Sequence, residues 1–99
     1  MNLKKILSDN GNVITITIPE KFDFKMHKDF RNTYEDEKSK TVVLDMGETQ
    51  YMDSSALGML LQLKEFTDEH NSKVCISNAN SSISQIIKIA HFDKLFNIK

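Results

Sequence analysis

Residues 41–58 read Thr41-Val42-Val43-Leu44-Asp45-Met46-Gly47-Glu48-Thr49-Gln50-Tyr51-Met52-Asp53-Ser54-Ser55-Ala56-Leu57-Gly58. The first five residues are an apolar run without alternation, the pattern of a strand covered on both faces. The last six open a helical pattern that lasts to about His70. Ala56, Leu60 and Leu63 form one apolar ridge, broadened by Leu57, Leu61 and Phe66. Two hydroxyls, Ser54 and Ser55, therefore sit where a helix begins. The first amides there lack intrahelical acceptors, and the helix dipole adds partial positive charge. A phosphate at that point is stabilised, so the corner reads as a phosphorylation switch. Asp53, Ser54 and Ser55 each also read as an ordinary N-cap, worth about 1 kcal/mol relative to Ala.

Outward from the corner, toward the N-terminus, Leu3–Leu7 and Asn12–Ile18 flank Ser8-Asp9-Asn10-Gly11. The second run is β-branched, and Asn10-Gly11 tolerates positive φ, so the pair reads as a β-hairpin. Pro19 cannot donate to a ladder and ends the strand. From about Lys25 to Glu37, Met26, Phe30 and Tyr34 fall at i, i+4 and i+8, which predicts a helix. Toward the C-terminus, Asn71-Ser72 breaks the second helix and Lys73-Val74-Cys75-Ile76 reads as a strand. Ile83, Ile86, Ile87 and Ala90 make a third helical face, and Leu95–Ile98 reads as a final short strand. Without repeats or linkers, residues 1–99 read as one domain. The order β-β-α-β-α-β-α-β predicts an α/β fold: a small mixed, largely parallel β-sheet with helices packed mainly on one face. Sites in such sheets gather beyond the carboxyl ends of the strands, which makes the loop Pro19–Asp23 and the Asp53–Gly58 corner expected neighbours.

The charge balance narrows the function. A net charge of −1 over 99 residues gives no overall case for direct nucleic-acid contact. No apolar stretch approaches the ~18 residues needed to span a bilayer, so no membrane insertion is expected. Met1–Leu7 is too short and too soon polar for a secretory signal, which points to a cytoplasmic location. Cys75 is alone and reads as a buried strand residue. His27, His70 and His91 lack metal spacing, so no metal and no cofactor are expected. No nucleophile–base–orienter pattern is visible, and the chain reads as a binding protein rather than an enzyme. A small enzyme using Ser54 or Ser55 as nucleophile is the remote alternative.

Other residues bear on partner contact. Gly58 costs a helix about 1 kcal/mol against Ala and reads either as a packing glycine or as a point of close approach. Lys21, Lys25, Lys28 and Arg31 cluster at the start of the first helix, with Glu35, Asp36 and Glu37 at its end, against the helix dipole. They read as a solvated charged face or as a surface that meets an acidic partner or a phosphate on Ser54. Met52 and Met59 flank the corner, as core or as an adaptable contact patch.

Val42-Val43-Leu44-Asp45 followed by Tyr51-Met52-Asp53-Ser54-Ser55-Ala56-Leu57-Gly58, with the ending Ile83–Phe96, resembles the STAS family of bacterial anti-sigma-factor-antagonist domains. The resemblance runs over nearly the whole chain. It implies that Ser54, the serine directly after the motif aspartate, is the target of a partner serine kinase. Asp23 matches an aspartate that family members often carry near the phosphosite. Two departures stand out. Ala56 replaces a frequent glycine, and Glu20-Lys21-Phe22-Asp23 replaces a glycine-containing turn.

The reading that results is a phosphorylation-switched protein-binding regulator with Ser54 as phosphoacceptor. Asp23, Asp53, Ser55, Gly58, Lys25 and Lys28 form its partner surface. The resemblance implies a kinase-type anti-sigma factor or related switch protein as partner, and a phosphatase that resets the switch. The alternative is a non-phosphorylated STAS subunit of a transport or stress-signalling complex.

Overall fold

The hairpin forms around Ser8. In the computed structural model, which describes residues 3–99, β1 (Lys4–Leu7) pairs antiparallel with β2 (Val13–Thr17). Met1 and Asn2, where the reading of the N-terminus begins, lie outside the described residues. Ser8 accepts the Gly11 amide at 2.9 Å through its carbonyl and the Val13 amide at 3.1 Å through its hydroxyl. Gly11 takes the positive φ of 74°. Asn10 instead contributes its side-chain oxygen, which accepts the Asn12 amide at 2.9 Å.

After β2 come a two-residue strand β3 (Lys21–Phe22), a short 3-10 turn (Phe24–Met26) and α1 (His27–Tyr34). Then follow β4 (Thr41–Asp45), a two-residue strand β5 (Tyr51–Met52), α2 (Ser54–Glu69), β6 (Val74–Ser77), α3 (Ser81–Ile89) and β7 (Asn97–Ile98). The main sheet has the order β1-β2-β4-β6-β7, and every pairing after the hairpin is parallel. The chain steps the same way across the sheet at each crossover. Right-handed crossovers that never reverse direction put their helices on one face. Ile14, Ile16, Val42, Leu44, Val74 and Ile76 are buried and meet the helical residues Phe30, Leu60, Leu63, Ile83 and Ile87 in one core.

This topology corrects the expectation that β4 is covered on both faces. Val42 and Leu44 are buried, but Thr41, Val43 and Asp45 alternate with them and are only half-buried. No crossover helix reaches that second face. Cys75 is buried in β6, as expected.

The first helix is also shorter than its periodicity suggests, ending at Tyr34 rather than Glu37. Three consecutive acids at a helix C-terminus face the negative end of its dipole. Here they leave the helix, and α1 keeps Asp29 in its first turn and Arg31 in its last, the favourable arrangement. The Glu37 carboxylate takes a hydrogen bond from Lys5 on β1 and an ion pair from Lys40 at 2.9 Å. The end of α1 is thereby tied to the edge of the sheet. The final strand is confined to Asn97–Ile98, because Phe92–Lys94 form a 3-10 turn that carries Phe92 and Phe96 into the core. No helix among the described residues is long and apolar enough to cross a membrane.

Hydrogen bonds from Lys5 and Lys40 hold the Glu37 carboxyl below its ordinary range. A carboxyl depressed in the folded state adds stability that is present above its ordinary pKa and lost as pH falls through the folded value. The wild-type chain should therefore lose more stability than Glu37→Gln between about pH 6 and pH 3, in urea unfolding at stepped pH. Parallel losses would remove Glu37 from the acid response.

Candidate functional site

Two short strands outside the main sheet assemble the corner. β3 and β5 pair in parallel, with Lys21 opposite Tyr51 and Phe22 opposite Met52. The Gln50 and Tyr51 amides both donate to the Glu20 carbonyl, at 2.8 and 3.0 Å, and the Asp53 amide to the Phe22 carbonyl at 3.4 Å. The loop after β2 and the loop after β4 are thus neighbours, as their places in the chain suggest. Asp23 and Asp53 each stand one residue beyond this ladder, so the pairing sets them side by side.

Both aspartates do the same work. Asp53 is extended (φ −104°, ψ −179°), and its carboxylate accepts the Ala56 amide at 2.9 Å, which makes it the N-cap of α2. Asp23 is likewise extended and accepts the Lys25 amide at 3.1 Å, capping the 3-10 turn. The capping duty that Asp53, Ser54 and Ser55 share on paper falls to Asp53. Ser54 is left as the first residue of α2, exposed, and among the described residues its hydroxyl makes no hydrogen bond. Ser55 is half-buried. Ala56 lies fully buried in the core.

The remaining candidates lie around this pair of caps. Gly58 is exposed in the second turn of α2, and a methyl group there meets nothing within 4 Å. Lys25 and Lys28 are exposed and form no ion pair among the described residues, so they stay available to a partner. Lys28 is a turn farther along the chain than Lys25. Arg31 is drawn away from the cluster by Glu35, at 3.3 Å. Met52 and Met59 are buried, which removes them from any contact patch. Their side chains face the core because Tyr51 and Gly58 take the outward positions.

Two surface residues escape a reading by composition. Phe24 is 69% exposed and stacks on His27 with ring centroids 6.3 Å apart. Tyr51 is also exposed, on the outward side of β5. Both are aromatic types that sequence patterns assign to cores. Their signal is positional. Phe24 follows the cap Asp23 as Ser54 follows Asp53, and both are exposed. The corner therefore offers an exposed aromatic and an exposed hydroxyl on equivalent positions of two capped turns, with exposed Lys25 in the turn that Asp23 caps. Such a mixture of aromatic, small and charged groups suits protein recognition. Among the described residues no group of three or more His, Cys, Asp or Glu side chains is arranged to hold a metal ion.

The division of labour at the corner has a direct test. Asp53→Ala should cost about 1 kcal/mol, while Ser54→Ala should stay within about 0.5 kcal/mol of wild type. Urea unfolding of the two variants measures both. An equal loss for Ser54→Ala would return that hydroxyl to capping.

The chain matches the family model described as STAS domain over residues 4–99. It is 36% identical over 100 residues to a STAS-domain containing protein of Pseudomonas aeruginosa (strain UCBPP-PA14), covering 99% of each chain. Its fold is similar to that of the anti-sigma factor antagonist SpoIIAA in its unphosphorylated form, with a TM-score of 0.84 at 11% identity, covering 99% of this chain and 88% of the other. It is also similar to a sulfate transporter family protein from Wolinella succinogenes, with a TM-score of 0.76 at 15% identity, covering 91% and 74% of the two chains. The match over residues 4–99 and the 36% identity over 99% of each chain show that the chain belongs to the STAS domain family.

Proposed function

We propose that this chain is a protein-binding regulator switched by phosphorylation of Ser54. The observation that carries the reading is the separation of roles at the start of α2. Asp53 supplies the cap, and the neighbouring hydroxyl is exposed and unengaged among the described residues. A kinase needs that access, and half-buried Ser55 offers less of it. The likeness to a protein named as an anti-sigma factor antagonist supports a partner of the anti-sigma, serine-kinase type, with a phosphatase to reset the switch. The domain acts by binding and is the kinase's substrate, not itself an enzyme. This reading places it in the cytoplasm.

The charge arithmetic explains how such a switch works. Phosphate adds about −1.5 to −2 at pH 7. At Ser54 it meets the carboxylates of Asp53 and, across the ladder, Asp23. The two free amides at the start of α2 offset part of that repulsion within the domain. A partner that docks on the unmodified surface must then desolvate a dianion, and the complex weakens. Lys25 and Lys28 steer an acidic partner face toward the corner, a contribution to association rate more than to affinity. Gly58 supports a contact of this kind. Nothing in the fold fills the space above it, yet a glycine in a helix interior costs about 1 kcal/mol. A low surface there lets a partner approach the α2 backbone.

The second reading is a static subunit that binds through the same surface without modification. The likeness to a sulfate transporter family protein favours it. Isolation from the native host followed by phosphopeptide mapping separates the two. The switch predicts a single phosphate on Ser54, lost in Ser54→Ala, and partner affinity lower by about tenfold or more after modification. In the same binding assay Gly58→Ala should bind less tightly while unfolding about 1 kcal/mol later than wild type. Phosphate confined to Ser55 would move the acceptor. None under any growth condition would leave the static subunit.

A further inference from the structure

A polar hollow lies toward the other end of α2. It is a groove of about 340 Å³ between the last turn of α1 and the second half of α2, with Tyr34 and Phe66 among its lining. Gln62 stands two turns beyond Ser54 on α2, about 12 Å along the axis, and Glu69 about 22 Å along it. The groove is therefore separate from the serine corner. Its rim carries Glu35, Glu65 and Glu69 against one cation, Arg31, which already pairs with Glu35. Glu65 and Glu69 have no ion-pair partner among the described residues.

Tyr34 makes this more than a set of surface acids. The residue is only 3% exposed, yet its hydroxyl has no hydrogen-bond partner among the described residues. Among the described residues no side-chain nitrogen or oxygen that is sealed from solvent lacks a partner, so the hydroxyl is not sealed and opens on the groove it lines. Its ring packs edge-on against Phe30 and Phe66, with centroids 5.6 and 5.1 Å away. Those are contacts a phenylalanine makes equally well. The oxygen makes no hydrogen bond within the fold among the described residues. Burial and Glu35 push the phenol up in pKa, Arg31 pulling the other way, so it stays neutral and able to accept a hydrogen bond. The half-exposed ring of Phe66 adds an aromatic surface beside it.

We infer that this groove receives an arginine side chain from a partner polypeptide, through the Glu65 and Glu69 carboxylates and the Tyr34 hydroxyl. A guanidinium is planar, donates in several directions and stacks on aromatic rings, which matches a slot of carboxylates, one phenol oxygen and a phenyl face. The inference stands whether or not Ser54 is phosphorylated.

The test is a titration of the isotope-labelled full chain, followed by amide chemical shifts. The probes are N-acetyl-arginine amide, N-acetyl-lysine amide, neutral N-acetyl-norleucine amide and spermidine, at constant ionic strength. The arginine probe should give saturable shifts confined to residues 31–35 and 62–69, the lysine probe weaker ones, and the neutral probe none. Tyr34→Phe should melt no lower than wild type and bind the arginine probe about fivefold less tightly. Glu65→Gln with Glu69→Gln, both at exposed positions, should abolish saturation. Four outcomes would overturn the inference: shifts that never saturate, tighter binding of spermidine than of the arginine probe, unchanged affinity in Tyr34→Phe, or a lowered melting temperature in that variant.

Discussion

Everything in this fold follows from a sheet crossed in one direction only. From β2 the chain moves to β4, then β6, then β7, never doubling back. Right-handed crossovers then leave no choice about where the helices go, and all three cover one face. The loops that leave the parallel strands consequently meet at one end of the sheet. Polar side chains tie them there. The buried Thr49 hydroxyl donates to the Ile18 carbonyl at 3.1 Å, and Asn80 donates to the Thr49 carbonyl at 3.0 Å while capping α3. Asn78 and the Gly47 amide both donate to the Asp45 carboxylate, at 3.1 and 3.0 Å. The buried Thr49 bond and the more exposed bonds around Asp45 together fasten irregular chain that no ladder holds.

On that platform the β3–β5 ladder sets two aspartate-capped starts next to each other. The arrangement concentrates negative charge where a serine is exposed. Each carboxylate is already engaged by a backbone amide, so neither is free to swing away from a new charge. On the proposed reading, a phosphate added there changes the charge of this surface. That suits a module whose output is the loss or gain of a partner.

The aromatic packing between α1 and α2 spans the distance from this corner to the acidic groove. Phe22 touches Phe30, Phe30 touches Tyr34, and Tyr34 touches Phe66, with centroids 5.1 to 5.6 Å apart. Phe22 immediately precedes the cap Asp23, and Tyr34 lines the groove. The rings therefore run from β3 along α1 to α2, and Tyr34–Phe66 is the contact in this series that joins the two helices.

The sequence by itself determined the five strands of the main sheet, the three helices, their order and the serine corner, but not the β3–β5 ladder. Val13–Ile18, the Ala56-Leu60-Leu63 ridge and the Ile83-Ile87 face carry periodicities that follow from backbone geometry, Thr41–Asp45 reads as a strand from its short apolar run, and the Asn10-Gly11 and Asn71-Ser72 breaks follow from local sterics. The nearness of the Pro19–Asp23 loop to Asp53 was legible as well, from topology alone. Tertiary structure decided what depends on residues far apart in the chain. Which of three adjacent polar residues caps α2 is set by the backbone angle that the β3 pairing imposes on Asp53. Whether Val43 is covered depends on where the crossovers run, and a strand's composition does not record that. Phe24 and Tyr34 show the same limit from opposite sides. One aromatic is exposed directly after a cap, and the other is buried with its oxygen turned to a groove that exists only where α1 and α2 meet.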